Sequence, residues 1–254
     1  RGLEKMDTHV FYVYDGSNMI TVYLDSILFL VRKGEQIMKS TKDVLRELEV
    51  LTDPFYEFYT TGLPENPSDL FLDWLNFAIK NEVKEPHAMT LSTVDDTGMP
   101  DARVLILKDV MDNKWFFASS ASSSKGEQLK SNAKAALTFY WPELARQVRI
   151  RGTAFTMSKE ANSRDFLERS RGAKAITLIS KQSKELTHPE DLEEAIIKAE
   201  EMVKQLPNIV SPDWTLYAVN AKEVEFWQGD PERKHKRVQY QLIDEQWEHR
   251  FLWP

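Results

Sequence analysis

Residues Ala88–Leu107 read AMTLSTVDDTGMPDARVLIL, and this stretch decides the fold class. A period of two begins at Ala88, so Ala88–Val94 and Ala102–Leu107 read as strands around the turn Asp95-Asp96-Thr97-Gly98. So short a connection makes the pair antiparallel, because parallel strands need a crossover of about a dozen residues or more. Downstream, the polar turn Asp112-Asn113 introduces a third strand, Trp115–Ser119. A serine-rich loop and a short helix near Lys125–Asn132 follow, then longer strands at Ala135–Trp141 and Gln147–Thr156. A helical stretch runs from Lys159 to about Ser180. Pro189–Leu206 is the clearest helix, with Leu192, Ala195, Ile196, Ala199, Met202 and Val203 repeating at three and four. Strands at Thr215–Val219, Val224–Gln228, Arg237–Leu242 and Trp247–Leu252 close the chain. Strands and helices do not alternate as a doubly wound sheet requires, so the class is mainly β with peripheral helices, α+β.

Upstream, Ser68 reads as the cap of a helix whose Leu70, Phe71, Trp74, Leu75 and Ala78 share one face. Asp53–Pro67, rich in Pro, Gly and Thr, reads as a linker, and Ser40–Leu51 as a short amphipathic helix. Met19–Val31 is the most apolar stretch, but it contains Asp25 and falls short of the roughly 20 apolar residues of a membrane helix. HVFYVY and MITVYL flank Asp15-Gly16-Ser17-Asn18, which reads as a β-hairpin. The chain opens at Arg1, and Met38 makes a plausible natural start. The expected organisation is an extension at 1–37, a helical segment and linker at 38–84, and a main domain at 85–254.

Hydrophobic residues make up 42% of the chain and charged residues 29%, which provides for a sizeable core and an ordinary globular surface. The absence of cysteine removes disulfides, thiolate metal sites and thiol nucleophiles, and fits a reducing, cytoplasmic setting. A net charge of -7 argues against broad binding to nucleic acid. No GxGxxG, GxxxxGK[ST] or HExxH motif occurs, and His9, His87, His188, His235 and His249 lack metal-ligand spacing. No metal site and no membrane partner are expected. Ser122 and Lys125 match SxxK, a weak signal inside a serine-rich loop.

The most informative chemistry lies in FWQGDPERKHKR, Phe226–Arg237. Arg233, His235 and Arg237 are spaced by two, so on an extended strand they share one face. Such a face either holds an anion, for which arginine's planar fork is suited, or is a solvated edge strand protected by its charge. A second set comprises Arg103 and Lys108, which bracket VLIL, together with Lys125, Gln147 and Arg149. Serine hydroxyls, a helix start and Lys125 form either a phosphate cradle or simply a polar capped loop. SKQS, Ser180–Ser183, ends a helical segment and carries no meaning alone.

In order, ARVLILK, FFAS…SKG, FYWPELARQVRIRG, SRG, SKQS, EFWQG…RKHKR and WEHRFLWP resemble the pyridoxamine 5′-phosphate oxidase family from about Glu85 to Pro254. The resemblance implies a six-stranded antiparallel split β-barrel with FMN at the interface of a homodimer. It implies flavin contacts at Arg103, Val104, Leu105, Ile106, Ala118, Ser119, Ser124, Lys125, Gln147, Gln182, Ser183, Trp227 and Arg237. A phosphorylated pyridine substrate would meet Lys108, Arg171, Arg233 and His235, with Arg233 and His235 positioning it for reaction. The implied activity is oxidation of pyridoxamine or pyridoxine 5′-phosphate to pyridoxal 5′-phosphate with oxygen as acceptor, in pyridoxine biosynthesis.

Three positions depart from the family pattern. Ser124 stands where an arginine is usual. Asp165 or Leu167 replaces a tyrosine that meets the substrate phosphate. The stretch after Arg171 is short, with Ala173 near an expected serine. FASSASSSKG and WEHRFLWP also resemble flavin oxidases of phenazine biosynthesis, which implies an alternative ring substrate. A non-catalytic protein that binds flavin or pyridoxal phosphate is the third alternative.

Overall fold

The structure, a computed structural model, describes residues 10–15, 18–23, 27–32, 35–51 and 55–254, with side chains from Ser40 onward. The chain divides into two compact units, Arg1–Val50 and Leu51–Pro254. In the first, β1 (Val10–Asp15) pairs antiparallel with β2 (Asn18–Tyr23), and β3 (Ile27–Arg32) with β4 (Glu35–Ser40). Gly16 and Ser17, expected to form the first turn, lie outside the described residues. The helix expected over Ser40–Leu51 is shorter, α1 (Thr41–Arg46); Ser40 caps it by accepting from the Asp43 N–H at 3.2 Å.

The second unit opens with α2 (Pro67–Lys80), where proline at the first position loses no hydrogen bond. Asn66, not Ser68, holds the capping position; Ser68 is buried, and its N–H donates to Asn113 Oδ1 at 3.1 Å. The following elements are β5 (Ala88–Val94), β6 (Pro100–Ile106), β7 (Asp109–Met111), β8 (Lys114–Ser120), α3 (Ser124–Ser131), β9 (Lys134–Trp141) and β10 (Arg146–Thr156). Then come α4 (Lys159–Leu167), α5 (Arg171–Leu178), α6 (Glu190–Gln205), β11 (Trp214–Gln228), β12 (Lys236–Ile243) and β13 (Gln246–Phe251). The helix expected over 159–180 is broken at Ser170, whose hydroxyl caps α5 through the Ala173 N–H.

All the strands of this unit join one antiparallel sheet, which has nine strands rather than the six expected. The order runs β6-β5-β9-β10-β11-β12-β13, with β8 on β11 and β7 on β8. β11 makes the split. The sequence breaks it at the polar run Asn220–Glu223, yet it is one strand of 15 residues. Its first half, Trp214–Asn220, pairs with β8, and its second, Glu223–Gln228, with β12. A register shift between Arg151 and Gly152 on β10 carries the ladder across that run. Gly152 is required there, because a Cβ would sit 2.2 Å from the Asn220 carbonyl oxygen.

The core follows the strand period. Met89 and Leu91, Leu137 and Phe139, and Val148 and Ile150 alternate inward and are fully buried. The apolar face of α2 joins them: Phe71 meets Trp115 and Phe139 at ring separations of 5.7 and 4.8 Å, and Trp74 meets Phe226 at 5.2 Å. A smaller cluster, Ala175 with Ala199 and Val203, holds α5 against α6.

Candidate functional site

β6, the end of β8, α5, the following loop and the start of α6 enclose a cleft of about 650 Å³. Val104, Leu105, Ile106, Ala118, Ser119 and Gln182 line it, with Lys108 at one side. The inward positions of β6 face Met89 and Leu91, so Val104 and Ile106 turn outward and stay exposed. Ser119 Oγ donates to Gln182 Oε1 at 3.4 Å and ties β8 to the loop after α5. Ser183 does not line the cleft.

Arg103 and Lys125 stand close enough to repel one another. Arg103 pairs with Asp101 and donates to Thr93 Oγ1 at 2.6 Å and Gln128 Oε1 at 3.2 Å. Lys125 is only 6% exposed, and its Nζ donates to Ser123 Oγ at 3.2 Å. Burial first, then Arg103, pushes its pKa below the usual lysine range. Among the described residues no carboxylate forms an ion pair with it. The serines expected to cradle a phosphate are otherwise engaged. Ser120 and Ser122 donate to the Asp213 carboxylate, and Ser123 caps α3 while donating to the Ser120 carbonyl at 2.7 Å. Ser124 is exposed at the helix start. Among the described residues Lys125 is therefore a buried cation whose one hydrogen-bond partner is a hydroxyl, with Asp101 attracting it from beyond ion-pair distance.

At the Lys108 end, Asp165 of α4 forms an ion pair with Lys108 at 3.1 Å and accepts from Trp214 Nε1 at 2.7 Å. Arg169 lies over the Trp214 ring at 3.9 Å, and its Nη2 donates to the Ala173 carbonyl and Thr177 Oγ1, each at 3.2 Å. Its Nε is buried and has no hydrogen-bond partner among the described residues. Burial lowers the Arg169 pKa, and Asp165 partly offsets the shift. Arg171, the arginine expected here, is exposed and donates to the Glu200 carbonyl of α6 at 3.4 Å. Arg169 lines the cleft and Arg171 does not. The cause is the break at Ser170, which turns the first residue of α5 away.

Gln147, Trp227 and Arg237 form a row across β10, β11 and β12 on the outer face of the sheet. One position along, buried Glu225 pairs with both Arg149 and Arg237, the latter at 2.8 Å. Arg233 and His235 are not on the strand as expected; β12 begins at Lys236, and Arg233 adopts a positive φ of 66° in the preceding turn. His235 still joins the row, its ring 4.9 Å from Trp227, and its Nδ1 accepts from the Asp230 N–H at 3.0 Å. Arg233 is exposed. This row and the cleft lie at opposite ends of β11: Ala118 pairs with Leu216, Arg237 with Trp227. At about 3.3 Å per residue, that separation along an extended strand is up to about 36 Å.

Sequence reasoning named Asp165 only as a departure at an expected tyrosine, and it missed Arg169, Asp213, Trp214 and Glu225. Asp165 and Arg169, one helical turn apart, are the pair that spacing could have found.

Residues 75–228 match the family profile described as pyridoxamine 5′-phosphate oxidase, and residues 214–254 match a pyridoxine 5′-phosphate oxidase C-terminal dimerisation region. The chain is 37% identical over 189 residues to a pyridoxine/pyridoxamine 5′-phosphate oxidase of Legionella pneumophila (strain Paris), covering 74% of this chain and 88% of that protein. It is 38% identical over 188 residues to the one from Cyanothece sp. (strain PCC 7425), with the same coverage of both. Among solved structures it is similar to PhzG from Burkholderia lata 383 in complex with tetrahydrophenazine-1-carboxylic acid: TM-score 0.73, 27% identity, 76% of this chain and 95% of that one. An FMN-binding protein from Nostoc punctiforme shares the fold, with a TM-score of 0.61 at 19% identity, covering 76% of this chain and all of that one. With both profiles matched in order and relatives of this identity aligned along most of their length, the chain belongs to the pyridoxamine 5′-phosphate oxidase family.

Proposed function

We propose that this protein is an FMN-dependent oxidase that converts pyridoxamine or pyridoxine 5′-phosphate to pyridoxal 5′-phosphate, acting as a homodimer with the flavin at the interface. The observation that carries the reading is Lys125, a buried cation beside Arg103 with only a hydroxyl partner. A phosphate monoester supplies the missing anion. The rest of the donor set fits FMN: Gln182 and the outward edge of β6 for one side of the molecule, and Gln147, Trp227 and Arg237 for another. These sets stand too far apart on β11 to hold one flavin within a single chain. A second copy that brings its row to this cleft completes the site, and the C-terminal dimerisation region supports that arrangement.

FMN, when bound, would supply the redox chemistry, a two-electron oxidation of the substrate carbon with dioxygen as the final acceptor. The protein's part is position and exclusion of water. Arg169 and Lys108 supply the cations at the head-group end of the cleft. His235, against Trp227, and the exposed Arg233 are suited to meet the substrate from the partner side. Glu225 orients Arg237 by accepting from its Nε at 3.0 Å and Nη2 at 2.8 Å.

The test is anaerobic. Pyridoxamine 5′-phosphate added to the FMN-loaded protein should bleach the flavin, form pyridoxal 5′-phosphate and allow recolouring in air. A flavin that stays oxidised refutes the reading. Sedimentation of a flavin-saturated monomer would contradict the interface site.

The Lys108–Asp165 pair favours a second reading, oxidation of a different, unphosphorylated ring.

A further inference from the structure

The turn between β11 and β12 carries Arg233 and His235, and one residue, Asp230, organises it. Asp230-Pro231-Glu232-Arg233 suits a β-turn, with aspartate first and proline second. The Arg233 N–H donates to the Asp230 carbonyl at 3.0 Å and closes it. Asp230 Oδ1 accepts from the Glu232 N–H at 2.8 Å and from the Lys234 N–H at 3.2 Å. The Gly229 N–H, donating to the Ala145 carbonyl at 2.7 Å, fastens the turn to the start of β10. Together these bonds hold Arg233 at a φ of 66°, where a residue with a Cβ rarely settles. The Asp230 N–H meets His235 Nδ1 at 3.0 Å, and a backbone N–H can only donate. Turning the ring over would set a carbon against that N–H. Nδ1 is therefore the acceptor of a neutral imidazole, and the ring proton sits on Nε2. The ring lies half-buried, 4.9 Å from Trp227. Among the described residues Nε2 meets no hydrogen-bond partner, so its N–H is free for a ligand.

We propose that Asp230 is a positioning residue that locks this turn and fixes His235 as an Nε2–H donor to an acceptor atom of the substrate ring. The proposal rests on reading the turn as part of the substrate site of a flavin oxidase, and it adds which nitrogen acts and what fixes it. His235 then gives a hydrogen bond and takes up no proton, because Nε2 already holds one and Nδ1 is occupied. Asp230 works through two groups, its amide on the imidazole and its carboxylate on the turn.

The first readout is nitrogen NMR of the FMN-loaded protein labelled at histidine, in mildly alkaline buffer, with the His235 signals identified by their loss in His235→Gln. Wild type should show a single tautomer, protonated at Nε2. Asp230→Ala should give a mixture of the two tautomers, as in free histidine. Asp230→Asn keeps an Oδ1 acceptor and should restore the single tautomer. The second readout is steady-state kinetics with pyridoxamine 5′-phosphate. In Asp230→Ala kcat/KM should fall about tenfold, the worth of one hydrogen bond, and Asp230→Asn should recover it. The FMN Kd should stay within about twofold, since Lys125, Trp227 and Arg237 are untouched. An Nδ1–H tautomer in wild type overturns the proposal. So does Asp230→Ala with an unchanged tautomer or unchanged kcat/KM, an Asn variant that behaves like Ala, or a matching rise in FMN Kd. If Asp230→Ala does not fold, the wild-type tautomer decides by itself. Failure of the oxidase reading looks different: no variant turns over, while the order of tautomers across the variants stands.

Discussion

Lys125→Met should have opposite effects on stability and on flavin affinity, and the two signs together test the account of the anion site. Lys125 is 6% exposed, donates to one hydroxyl and is repelled by Arg103 more than Asp101 attracts it. Replacing poorly paired buried charge by an apolar side chain of similar length is often stabilising, and here about 1–2 kcal/mol is expected. For a unit of this size that raises Tm by about 2–8 °C. Binding moves the other way. A charge-assisted hydrogen bond to phosphate is worth about 1.5–3 kcal/mol, so the FMN Kd should rise about 10- to 150-fold. The pH dependence follows from the lowered pKa. The unfolded chain holds this proton up to about the ordinary 10.5, and the flavin-free fold releases it earlier. Stability therefore rises with pH through that window, and Lys125→Met removes the increment. The assays are thermal melts of flavin-free protein and flavin fluorescence titration. A variant that melts earlier and binds FMN as tightly as wild type would refute the assignment of Lys125 as an anion site.

Arg169→Ala should raise the KM for pyridoxamine 5′-phosphate about 10- to 150-fold, whereas Arg171→Ala, at an exposed site facing α6, should change it little; steady-state kinetics reversing that order would return the role to Arg171. Gly152→Ala forces a Cβ to within 2.2 Å of the Asn220 carbonyl, so denaturant unfolding should show a loss of about 1–3 kcal/mol. Burial pushes the phenols of Tyr217 and Tyr240 up to about 12. Tyrosinate absorbance of the folded protein should therefore show a late phase that Tyr217→Phe and Tyr240→Phe each reduce, and a single transition near 10 would contradict it. The sign for these two is a stability contribution complete below about 10, the unfolded value, and lost as pH rises through about 12.

The β-sheet was readable wherever a strict period of two coincided with one buried face. Ala88–Leu107 is such a case: Met89 and Leu91 point inward, and the hairpin register pairs Ala88 with Ile106. The reading failed where tertiary pairing overrode local pattern. Asn220–Glu223 looks like a turn because it is polar, yet the shift at Gly152 on a neighbouring strand keeps β11 continuous through it. Nothing within residues 214–228 encodes that rescue. Ser68 has a good capping side chain, but Asn113, 45 residues away, accepts its N–H while Asn66 takes the capping position. Ser170 was readable as a cap in principle, since a serine inside a helical stretch competes for backbone hydrogen bonds.

The site was legible where the chemistry lies in the residue type and hidden where it lies in a partner. Val104, Ile106, Ser119 and Gln182 are brought to the cleft by strands and a loop whose order the motifs preserve. Glu225 opens the EFWQG motif without an assigned role there, Asp213 is unmarked, and Asp165 stands out only as a departure from an expected tyrosine. Each gains its role from a residue far along the chain: Lys108, Ser122 and Arg149 respectively. The resemblance implies a site shared between two chains, and the register is consistent with it: Leu216 opposite Ala118 and Trp227 opposite Arg237 stand at the two ends of one strand. β10 pairs with β11 from Tyr217 to Gln228, which holds the strand extended between the two sets. On the proposed reading the flavin site needs both sets and is assembled between chains, so dilution to monomer should release flavin even though every contact residue remains folded.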